Sequence, residues 1–165
     1  MIELQNRKEN SHEAKTSSKS FSFEGTLKNP LNINETIILT QDDELVLGLI
    51  PAECYVTNMV LLTNEAYPAG ATVSIGFLGD FPTWSLTEIA ADIALDISNV
   101  SEVIALPTSG VVGGKGIWSG VNGLHLGAVY SGDDAVTGEA TLIISYINFE
   151  GSAVNKAIRA RSFED

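Results

Sequence analysis

Glu139-Ala-Thr-Leu-Ile-Ile-Ser-Tyr-Ile-Asn-Phe149 is the stretch on which the fold turns. Ile143, Ile147 and Phe149 alternate with Leu142, Ile144 and Tyr146, so a two-residue period puts apolar side chains on both faces of one strand. Such a strand belongs in the middle of a sheet. It is either packed on both sides, or packed on one side with a subunit contact on the other. Upstream, residues 124–130 read as another strand, joined to the first through Ser131-Gly-Asp-Asp134 and the residues after it.

Further strands precede these. Residues 54–63 are strongly apolar, and residues 71–78 follow the turn Pro68-Ala69-Gly70. Residues 35–40 and 44–50 flank the polar turn Gln41-Asp42-Asp43 and read as a hairpin, which Pro51 ends because it has no N–H for a ladder. Residues 20–27 alternate Phe21 and Phe23 with polar neighbours up to Asn29-Pro30, and residues 102–106 make a short strand. Ser85-Leu-Thr-Glu88 is a capping-box pattern, and Leu86, Ile89, Ala90, Ile93 and Ile97 follow at helical spacing, which predicts a helix of two or three turns. Seven glycines between Gly110 and Gly127 suit a long loop or bulged strands, and residues 153–161 suit a helical tail. The expected fold is all-β: an antiparallel β-sandwich, jelly-roll-like, with one short helix and an extended N-terminal arm. Residues 1–19 are expected as a flexible arm, 20–150 as the sandwich and 151–165 as a C-terminal tail.

The charge is divided along the chain. There are 21 acidic and 9 basic residues in 165, a formal net charge of −12 and a pI near 4.4. Between positions 29 and 155 only Lys115 is basic, whereas Arg7, Lys8, Lys15, Lys19 and Lys28 cluster before it and Lys156, Arg159 and Arg161 after it. Such acidity argues against a nucleic-acid groove, which needs clustered cations. With 44% hydrophobic residues the chain can bury a core without disulfides, and the lone Cys54 excludes an internal one. The first twenty residues hold no apolar stretch of signal-peptide or membrane-span type, so synthesis in a cytoplasm and no membrane partner are expected.

Reactive constellations are missing from the sequence. His12 lies in the arm and His125 alternates with Leu124 and Leu126, as a solvent-facing strand residue would. Neither H-E-x-x-H nor G-x-S-x-G occurs, and Gly110-Val-Val-Gly-Gly-Lys-Gly116 lacks the spacing of a phosphate loop. Cys54 reads as a small packed hydrophobe. Glu88, Asp92 and Asp96 would share one helical face, most simply a solvated one, so no metal, cofactor or catalytic residue is expected. Trp84 and Trp118 sit beside turn residues, where they could stack on a saccharide or anchor a protein contact.

Leu49-Ile-Pro-Ala52 leading into Tyr55-Val-Thr-Asn-Met-Val-Leu-Leu62, then Ala66-Tyr-Pro-Ala-Gly-Ala-Thr-Val-Ser-Ile-Gly76 and the closing Gly138-Glu-Ala-Thr-Leu-Ile-Ile-Ser-Tyr146, resembles small structural proteins of tailed bacteriophages. The resemblance spans about residues 45–148, and it departs at Glu53, where glycine is common in that pattern. It implies a jelly-roll-like cement or decoration protein on the outer surface of a phage head, with the major capsid protein as partner. Such a protein would be a non-enzymatic part of the virion. The basic residues Arg7, Lys8, Lys15, Lys19 and Lys28, together with Lys156, Arg159 and Arg161, are then expected to meet acidic capsid surface. Self-association as a homodimer or homotrimer is expected through Phe21, Phe23, Trp84, Trp118 and Tyr130. The alternatives are a carbohydrate- or receptor-binding sandwich, and a head-fibre or tail-attachment adaptor.

Overall fold

The computed structural model describes residues 15–29, 31–79, 85–106 and 116–148. The strand read first is β11 (Glu139–Asn148), and it lies inside a sheet as its two apolar faces require. On one side it pairs antiparallel with β1 (Lys15–Glu24), on the other with β5 (Cys54–Glu65). Beyond β5 come β8 (Val100–Val103) and the two-residue β9 (Ile117–Trp118), both paired to it at different heights. The second sheet runs β4 (Glu44–Ile50), β10 (Leu124–Ser131), β6 (Thr72–Leu78) and β7 (Leu86–Ala94), with every pairing antiparallel. A separate ribbon joins β2 (Thr26–Asn29) to β3 (Asn32–Ile38).

The two sheets close on one core. Val56, Met59, Leu61, Leu142 and Ile144 come from the first sheet, and Ile50, Val73, Ile75, Leu126 and Tyr130 from the second, all at most 1% exposed. The alternation of buried and less buried residues along β11 and β5 follows from the pleat, which sends successive side chains to opposite faces. One open side of the sandwich is drawn shut where β1 meets β4. There Phe21 lies on Gly48, whose missing side chain leaves room for the ring.

Three sequence expectations need correction. The helix at residues 85–97 is absent, because that segment forms strand β7. Its register against β6 slips between Val73 and Ile75 and again between Ile75 and Gly76. Each slip adds an extra residue to β7, where Asp92 has φ of 52°, so Ile89 and Ile93 both pack on the core despite a spacing of four, while Leu86 pairs with Leu78. The 35–50 hairpin is also absent. The turn exists, with Asp43 N–H donating to Thr40 C=O and the Asp43 carboxylate accepting from Thr40 N–H, but β3 pairs with β2 and β4 with β10. Finally, β1 begins at Lys15, so the last five residues of the 1–19 segment belong to the sheet; the strand then ends at Gly25, where a Cβ would meet the carbonyls of Ala135 and Thr137 at 2.6 Å. The segment at 153–161 lies outside the described residues.

Candidate interaction surfaces

Of the basic residues singled out, Arg7, Lys8, Lys156, Arg159 and Arg161 lie outside the described residues. Lys15 opens β1 and Lys28 sits on β2. Lys19 is engaged by the fold itself. Its ammonium donates to Leu49 C=O at 3.3 Å and stands 5.7 Å from the centre of the Phe21 ring, so it satisfies a carbonyl on edge strand β4.

The aromatic residues separate in the same way. Phe21, Phe23 and Tyr130 are buried inside the sandwich, which removes them as anchors for a second molecule. Phe23 packs 6.2 Å from Tyr67, and Tyr67 packs 5.9 Å from Tyr130. Tyr67 donates its hydroxyl to Phe23 C=O at 2.9 Å, and Tyr130 donates to Asp133 C=O at 2.6 Å. Trp84 lies outside the described residues, whereas Trp118 is 49% exposed on β9.

Burial pushes the Tyr67 hydroxyl far above the ordinary tyrosine range, and Tyr130, Glu139, Glu24 and Glu65 push it further. Tyr130 is raised too, first by burial and then by Asp133 and Asp134. A raised phenol favours the neutral form in the folded state, so its contribution is complete below the unfolded value near 10 and is lost as pH climbs beyond it. Urea melts should therefore show stability falling above about pH 10, with a shallower fall in a Tyr67→Phe/Tyr130→Phe double variant. Equal slopes in the two proteins would contradict this placement of the hydroxyls.

The acidic residues do not gather as a helix would have gathered them. Glu88 and Asp92 stand a four-residue step, roughly 13 Å of extended strand, apart on β7, and Asp96 lies beyond its end, so the three do not gather round one ion. Asp96 instead accepts from Gly70 N–H at 3.1 Å. Among the described residues no group of three or more His, Cys, Asp or Glu is placed to hold a metal. Cys54 is buried, and His125 is exposed on β10 as its alternation implied.

Sequence reasoning missed one cluster. The register aligns Glu139 with Glu24 on one side and with Glu65 on the other, a row of carboxylates across three strands. They border a cleft of about 240 Å³ that Thr26, Val136, Thr137 and Gly138 complete. Only strand pairing, which is non-local, could have shown it. Like charges placed directly opposite destabilise a sheet, so Glu139→Gln should raise stability by about 0.2–1 kcal/mol at low salt, and by less as salt screens the row. A thermal melt that falls on this substitution would show that the row is compensated.

The outer face of the first sheet has a different character. Opposite the core-facing residues, the register sets Ser20, Ile143, Val60 and Val103 in one row across β1, β11, β5 and β8. A second row holds Thr16, Ile147, Tyr55 and Trp118. Ser22, Thr141, Leu62 and Ser101 form a third, with Ser22 and Thr141 hydroxyls 3.0 Å apart. From the glutamate row to the Trp118 end, no charged side chain stands on this face among the described residues.

The arrangement defines a jelly-roll-like antiparallel sandwich. Among solved structures, the chain is similar to one in the capsid of Ralstonia phage GP4, with a TM-score of 0.56, 12% identity and coverage of 81% of this chain and 84% of that one. Looser similarities run to a chain in the acid-stable capsid of Helicobacter pylori bacteriophage KHP30 (TM-score 0.45, 12% identity, 82% and 95% covered). A chain of the cyanophage Pam1 capsid follows (TM-score 0.42, 14% identity, 82% and 84% covered). At such identities the likeness is one of fold. No protein-family model matches the sequence, and the search of curated proteins finds no match.

Proposed function

We propose that this chain is a non-enzymatic structural component of a bacteriophage virion, one that binds the outside of the head and holds neighbouring major capsid subunits together. The observation that carries the reading is the fold shared with a chain of the Ralstonia phage GP4 capsid over most of both chains. A clamp of this kind needs a stable body, surfaces for self-association and a means of gripping the lattice, and no reacting groups. The acidic body repels its own copies except at designated contacts, while the cationic ends supply attraction to an acidic shell. Repetition on the lattice converts each weak grip into avidity.

The test is reconstitution. Full-length protein added to purified heads that lack it should co-sediment at a saturating ratio fixed by the lattice, and should raise the temperature at which the heads release their DNA. Failure to bind, or binding without any gain in head stability, overturns the cement reading.

A further inference from the structure

We infer that the uncharged outer face of the first sheet is where a second copy of this chain packs, sheet against sheet about a twofold axis. The inference deepens the self-association within the proposed function and rests on it, but its test needs no phage head. Two copies of a molecule carrying −12 repel, so any contact between them must use surface that brings no carboxylates together. This face meets that condition, because its carboxylates stand in a row at one end. A twofold axis lying in the contact plane and running across the strands sends the two glutamate rows to opposite ends, away from each other, so this is the orientation the charge selects.

Composition and size point the same way. Val60, Ile143 and Val103 form an apolar band, Val103 being 71% exposed, and the serines and threonines beside it are small enough to let a second sheet approach to the usual ~10 Å. Trp118 and Tyr55 lie at the far end, where the Tyr55 ring rests on Gly116; a Cβ there would come within 2.5 Å of it. Aromatic side chains at that position are the usual anchors of such contacts. Four strands about 4.8 Å apart and some seven residues long give on the order of 450 Å² per copy, or about 900 Å² for the pair, close to the ~1,000 Å² at which specific interfaces begin. A dimer of modest affinity is expected, and multiple contacts on a lattice would strengthen it.

The experiment is sedimentation equilibrium of the full chain over a wide concentration series, with two single variants. Val103→Lys places an ammonium at the β8 end of the apolar band, where the contact would have to desolvate it. It should weaken dimerisation at least ~10-fold while leaving the circular dichroism spectrum unchanged. Val46→Lys, at a site 59% exposed on edge strand β4 of the other sheet, should leave the dimer intact. A monomeric wild type overturns the inference, including the case where removal of residues 149–165 then releases a dimer, since the chain's own C-terminus would be the occupant. Dissociation by Val46→Lys and not by Val103→Lys overturns it as well. A dimer that meets these expectations but does not bind heads leaves the inference standing and removes the cement reading alone.

Discussion

Gly138→Ala should cost the fold about 2–5 kcal/mol, a substantial part of the 5–15 kcal/mol that holds a typical domain together. Two independent effects add. Gly138 has φ of 126°, a backbone conformation that a Cβ opposes, and that strain costs on the order of 1–3 kcal/mol. A Cβ at this position would also run into the ring of Tyr67, which cannot swing away because its hydroxyl is bonded to Phe23 C=O and its ring packs between Phe23 and Tyr130. Gly138 also receives Gly25 N–H on its carbonyl at 2.9 Å, so a shift there reaches the point where β1 gives way to the ribbon. Gly70→Ala separates the terms. Gly70 has φ of 79° with nothing within 4 Å of a new Cβ, so it reports strain alone, about 1 kcal/mol. Urea melts of the two variants should differ by the cost of displacing Tyr67 together with the greater strain at the Gly138 φ of 126°; equal losses would show that the ring yields freely.

The second large effect concerns the basic N-terminal residues. Deletion of residues 1–14 should leave the melting temperature unchanged, since β1 begins at Lys15, yet weaken binding to purified heads by roughly 10- to 100-fold. Carrying the deletion to residue 19 would be a poorer experiment. It would strip five rungs from the β1–β11 ladder and the Lys19 bond to Leu49, so lost binding and lost folding would be confused. If attraction to an acidic shell is the cause, the double variant Arg7→Glu/Lys8→Glu should mimic the deletion. Full-length binding should also weaken as salt rises above about 0.1 M, where the screening length falls below ~10 Å. Undiminished binding by the deletion would locate the grip elsewhere on the molecule.

What could be read from the sequence depended on whether the deciding contacts were local. In β11 each side chain's face follows from position alone, so its two apolar faces and its central place could be anticipated. In β7 the register slips broke that rule: the extra residues turned a strand's buried positions into a helix's spacing, and Ser85-Leu-Thr-Glu88 supplied a cap for a helix that does not form. The turn at Gln41-Asp42-Asp43 was legible because its hydrogen bonds are local. Its strands were mispaired because Asp42 N–H and Asp43 C=O bond to Tyr130, almost ninety residues away, and lead the chain into β10. The polar run from Lys15 to Lys19 looked like arm because it has nothing to bury, but the β11 edge holds it through the backbone ladder.

Surfaces followed the same division. Aromatic residues were expected as anchors by type, yet Phe21, Phe23 and Tyr130 occupy inward positions of their strands, and of the aromatics named only Trp118 is exposed among the described residues. The glutamate row and the uncharged face exist only once β1, β11 and β5 are aligned, so no reading of separate segments could have assembled them.

The central claim, that this chain is a virion component clamping the outside of a head, is tested most directly by quantitative mass spectrometry of purified phage particles. The claim predicts the chain in fixed, lattice-scale ratio to the major capsid protein, removable from intact DNA-filled heads without opening them. Particles free of it, or carrying only the handful of copies that a tail or fibre would need, would contradict the claim.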